Sequence, residues 1–159
     1  MIEQNYLQLL IQSLEKKITV LDHIVQLNNQ QKNLLLREEV DLDEWNGIIE
    51  EKAKSIDQIN FLDEGFEEVY NRVKDMLISR REEFQSEIRT LQGLIGKITD
   101  RSVQVQTGEQ QNKELAQLQF GRIKKKMRTV RQTSQAVQSY SNSMKKLNFV
   151  DAQFLDKKK

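Results

Sequence analysis

The apolar positions set the frame of this chain. From Asp41 to roughly Gln106 they recur at helical spacing: Trp45, Ile49, Ile56, Ile59, Leu62, Phe66, Val69, Val73, Leu77, Phe84, Ile88, Leu91, Ile95 and Ile98. No proline interrupts them, so the pattern predicts one middle helix over 42–106, on the order of 95 Å long at 1.5 Å per residue. Its start is marked by EEVDLDEW. Asp41 is placed to accept from the Glu44 amide, and the Glu44 carboxylate to reach back to the Asp41 amide. Val40 and Trp45 flank that cap at the spacing of a hydrophobic staple. Gly65 weakens the helix, but Leu62, Phe66 and Val69 keep their phase across it, and a continuous helix is expected there.

A first helix is predicted over about 2–38. Leu7, Ile11, Leu14, Ile18, Leu21 and Val25 step alternately by four and three, a heptad seam rather than a broad face. Asn28 and Lys32 stand at the next seam positions, where polar residues cost stability but can fix register or partner choice; the simpler reading, local fraying near the turn, is preferred. His23 reads as a surface histidine, since a metal needs several ligands. The connection from Glu38 to Leu42 makes the first two helices antiparallel neighbours, with facing residue numbers summing to about 80. Leu14 then lies near Phe66.

A third helix is predicted over 108–138. TGEQ at 107–110 fits a second capping box, and Ala116, Phe120, Ile123, Met127, Val130, Ser134 and Val137 form one stripe. Folded back on the middle helix, it would bring Gly121 against Gly93 and the basic run against Glu82, Glu83 and Glu87. Residues 139–159 are polar with scattered apolar side chains and read as a flexible tail.

Composition sharpens the class. With six glycines and no proline in 159 residues, turn vocabulary is scarce, and a many-stranded protein is excluded. The fold expected is all-α: long antiparallel helices in an elongated helical hairpin or coiled-coil bundle, one domain over 1–138. Paired layers bury little surface, so a homodimer or a bound partner is expected to complete the core.

Chemistry is scarce. The absence of cysteine excludes Cys-His arrangements and thiolate metal sites, a single histidine excludes a pair of Glu-x-x-His motifs, and a Ser-His arrangement would have only His23, with no nucleophile motif around it. There is no glycine-rich phosphate loop. No catalytic, cofactor-binding or metal-ligating residue is assigned, and the chain reads as a non-enzyme. Nothing at the N-terminus has the form of a signal peptide, and no apolar run is long enough to span a membrane, which leaves the cytoplasm as the expectation.

The net charge of +1 hides a division. Residues 1–79 carry 16 acidic and 8 basic side chains, residues 80–159 carry 8 and 17. The sharpest feature is RIKKKMRTVR, with Arg122, Lys124, Lys125, Lys126, Arg128 and Arg131 around Ile123, Met127 and Val130. Such a helix suits an acidic partner, an anionic surface or nucleic acid, but the near-neutral total and the lack of interleaved aromatics argue against nucleic acid. Pairing with the acidic first half of the chain is the simplest alternative.

The stretch NNQQKNLLLREEVDLDEWNGIIEEKAKSIDQINFLD resembles the FlgN-type flagellar export chaperones (FlgN/FliT-like). The matching positions are Leu34, Leu35, Glu38, Asp41, Ile49, Lys52, Ile56, Ile59 and Leu62. The resemblance implies a cytoplasmic chaperone that holds late flagellar subunits, the hook–filament junction proteins, unpolymerised and delivers them to the export apparatus. It places client binding on the C-terminal helix, here Ile123, Met127, Val130, Val137, Tyr140 and Met144. The rival from the residues alone is a coiled-coil adaptor that self-assembles without a client.

Overall fold

The computed structural model describes residues 2–129 and 141–142. Three helices account for nearly all of them: α1 (Ile2–Leu35), α2 (Leu42–Ser79) and α3 (Gln85–Thr129). The protein is all-α, with no strand among the described residues.

The first turn forms as its residues dictate. Asp41 Oδ1 accepts from the amides of Asp43 (2.9 Å) and Glu44 (3.3 Å), and Val40 packs against the core cluster that contains Trp45. The Glu44 carboxylate does not return to the Asp41 amide; it accepts from Arg37 Nη1 at 3.0 Å instead.

The second turn lies at 80–84, so the middle helix does not run to 106 and the third does not start at 108. The cause is a gap in the apolar stripe. Ile78 after Leu77 faces solvent, and between Ser79 and Phe84 stand only Arg80, Arg81, Glu82 and Glu83, with no apolar residue to hold a further helical turn on the core. The chain bends there without a left-handed residue, so neither glycine nor proline marks the place. Arg80 Nε donates to Glu83, the Arg80 guanidinium lies 5.2 Å from the Phe84 ring centre, and Phe84 is buried in the core. Thr107 and Gly108 fall inside α3, and their capping box is not used.

Two compact units are built from segments of the same three helices. In the first, residues up to His23 pack with Ser55–Ser102. Leu7, Leu10, Ile11, Leu14, Val73, Phe84 and Leu91 form its core, with Phe66 and Val69 against it. Lys17 Nζ meets Asp63 at 2.8 Å and Arg72 donates to Tyr6, which agrees with antiparallel numbers summing to about 80. α3 runs parallel to α1: Arg101 Nε donates to Asp22 at 2.6 Å across 79 residues. α1 therefore packs against two helices, and Leu10 and Ile24 join the heptad positions to make a broad buried face.

Helix α2 is continuous through Gly65. A Cβ at Gly65 meets nothing within 4 Å. Gly65→Ala is expected to stabilise the protein by about 0.5–1 kcal/mol, because the substitution removes a helix penalty and creates no clash. Thermal unfolding followed by circular dichroism checks it. Gly93 and Gly121 both lie on α3, so their expected contact does not exist, and Glu87 shares that helix with the basic run rather than facing it.

Candidate functional site

The second unit joins Ile24–Lys54 to the chain from Val103 onward. Its apolar core is Leu34, Leu35, Trp45, Ile49 and Ala116. Beside that core lies a layer of polar side chains with almost no solvent contact.

Lys52 and Glu109 form its centre. They are 1% and 0% exposed, and Lys52 Nζ lies 2.5 Å from Glu109 Oε1. Lys52 also donates to Gln31 Oε1 at 3.1 Å, which accepts from Asn112 Nδ2 at 3.0 Å as well. Asn112 donates further to the Asn28 carbonyl at 2.9 Å, and Asn28 Nδ2 to the Val105 carbonyl at 3.4 Å. Gly108 lets α3 approach here, since a Cβ on it would sit 3.2 Å from the Asn28 Cβ. The layer ties all three helices together at one register.

Asn28 is thus part of a buried network and not a frayed end, while Lys32 points to solvent. Gln31 takes the buried place that the heptad count gave to Lys32. His23 is exposed, as expected.

The layer ends at Gln119, whose Nε2 donates to the carbonyls of Leu35 and Arg37, both at 2.8 Å. These carbonyls belong to the last residues of α1 and the turn that follows, where no helical donor reaches them. Because α3 runs parallel to α1, it continues past this cap for about ten residues, or about 15 Å. On that end Ile123 and Met127 are half-buried, while Arg122, Lys124, Lys125, Lys126 and Arg128 are exposed. Lys124 Nζ stands 4.6 Å from the centre of the Phe120 ring. Val130, Arg131, Val137, Tyr140 and Met144 lie outside the described residues, as does the expected tail apart from residues 141–142.

Two of the six expected client-binding residues are therefore on one half-buried face of α3, in the same two turns as five of the six expected cations, which are exposed. Reading by composition missed Gln31, Glu109, Asn112 and Gln119. Their one signal was Asn28 in the seam of α1, because a buried polar residue calls for partners of its own kind.

Among the described residues no group of histidine, cysteine or carboxylate side chains is arranged to hold a metal ion. No helix among them is long and apolar enough to cross a membrane.

Three helices locked by a buried polar register, with the end of α3 carried beyond the cap, define an all-α helical scaffold. The FlgN protein family matches residues 1–147, and the chain belongs to that family. Its role, in the terms of the family, is that of a flagellar export chaperone. No curated protein and no solved structure matches the chain. The positions that carried the resemblance are mostly structural: Leu34, Leu35, Ile49, Lys52, Ile56 and Ile59 are all buried, and Asp41 caps α2.

Proposed function

We propose that the end of α3 beyond Gln119 is the client seat of this chaperone. Its apolar stripe begins with Ile123 and Met127 and continues in sequence through Val130, Val137, Tyr140 and Met144. It takes up an amphipathic segment of a late flagellar subunit, a hook–filament junction protein, and the complex is presented to the export apparatus in the cytoplasm. The observation that carries this reading is the extension of α3 past its cap. An apolar stripe there is only half covered, while its cationic flank is in water. Helix-in-groove recognition needs both features, an apolar contact line and a charged border that sets orientation.

Isothermal titration with a purified hook–filament junction subunit tests it. Ile123→Asp/Met127→Asp and a chain truncated after Thr133 are each expected to lose affinity about tenfold or more. The point variant should keep its helicity with only a small fall in thermal midpoint, because both side chains are half-buried and neither belongs to a buried core. Unaltered affinity in both variants would refute the assignment. A chain that retains no flagellar subunit and only assembles with itself would favour the coiled-coil adaptor.

A further inference from the structure

The second unit also carries a groove between α1 and α2 of about 610 Å³. Leu27 and Ile48 line its inner side, and Glu44, Glu50 and Glu51 line its outer side. Gly47 opens it, since a side chain there would meet nothing within 4 Å. We infer that this groove receives the basic end of α3 from a second copy of the chain.

Three features favour that occupant. Residues 37–51 carry seven carboxylates and one cation, whereas residues 122–128 carry five cations and no carboxylate. The lengths agree: the groove follows α1 from Leu27 to Arg37, about 15 Å, and the part of α3 beyond Gln119 is about as long. Ile123 and Met127 supply an apolar edge for the half-buried Ile48, with the cations left to meet Glu50 and Glu51, since Glu44 is held by Arg37, which also lines the groove. Groove and helix end both adjoin the α1–α2 turn of one unit. A two-fold axis beside that turn therefore lets each copy fill the other's groove, an isologous contact with no open site left over.

The contact is reversible and salt-sensitive, because its charges are solvent-exposed and screened. It also covers Ile123 and Met127, so self-association and client binding compete. That last consequence rests on the client seat proposed above; the dimer itself does not.

Sedimentation velocity of the full chain, over a wide concentration range at low and high salt, tests the inference. The wild-type chain should dimerise reversibly at low salt and dissociate at high salt. Gly47→Leu fills the groove and Glu50→Lys/Glu51→Lys reverses its charge; each should weaken the dimer about tenfold or more. Gly47→Leu replaces a helical glycine in open space, so its fold should be intact, and an unchanged circular dichroism melt confirms this. Combining Glu50→Lys/Glu51→Lys with Lys124→Glu/Lys125→Glu in one chain should restore the dimer. A monomer at every concentration would overturn the inference, as would a dimer indifferent to all these changes. So would a groove that binds a foreign basic helix while the chain stays monomeric. If the dimer forms but persists in excess junction subunit, only the competition with client falls.

Discussion

Lys52→Met is expected to cost about 3–5 kcal/mol of stability, a large share of what a domain of this size possesses. The reason is the partner left behind. Glu109 is fully buried, and its carboxylate would lose the ammonium 2.5 Å away that offsets its charge. Gln31 Oε1 would lose one of its two donors at the same time. Glu109→Leu should destabilise comparably by stranding the lysine. The pair removed together, Lys52→Met/Glu109→Leu, is expected to be neutral or more stable than the wild-type chain, because apolar packing replaces two desolvated charges. Two further features favour a gain. Asn28 Oδ1 and Asn112 Oδ1 have no hydrogen-bond partner among the described residues, so the layer is incompletely satisfied as it stands. Urea unfolding of the two single variants and the double variant gives the coupling directly. The layer's value then lies in register. It fixes which turn of α3 faces α1 and α2, and through that how far α3 extends beyond Gln119.

Trp45→Ala is expected to cost a similar amount, about 3–5 kcal/mol, for an unrelated reason. Trp45 has no exposed surface and stands at the centre of Leu34, Leu35, Ile49 and Ala116. Its removal empties a volume that three helices enclose and also weakens the cluster that Val40 packs against beside the Asp41 cap. As the sole tryptophan it reports on this unit by fluorescence, so the wild-type transition is read from its emission and the variant's by circular dichroism. A change below about 1 kcal/mol would mean that the site collapses around the gap, contrary to the packing described.

What the sequence made legible follows from how local each signal is. The Asp41 cap, the antiparallel register of α1 and α2 and the continuity of α2 through Gly65 rest on residues a few positions apart, and each is present in the structure. The second turn was hidden because it contains no turn residue: Arg80 to Glu83 also suit a helix surface, and only the gap in the stripe separates the two readings. That error moved the third helix and paired glycines that share α3. The buried ion pair was hidden for the opposite reason. Lys52 and Glu109 are 57 positions apart on different helices, and charged residues are almost never fully buried without such a partner. Of the proposed client seat, the stripe and its cations were visible in sequence, but the cap at Gln119 that precedes it was not.

Amide hydrogen exchange of the chain, free and bound to a hook–filament junction subunit, tests the central claim most directly. The account predicts new protection in α3 after Gln119 and in the residues that follow, with no protection gained in α1 or α2. Protection gained on α1 or α2, with the end of α3 unaffected, would contradict it.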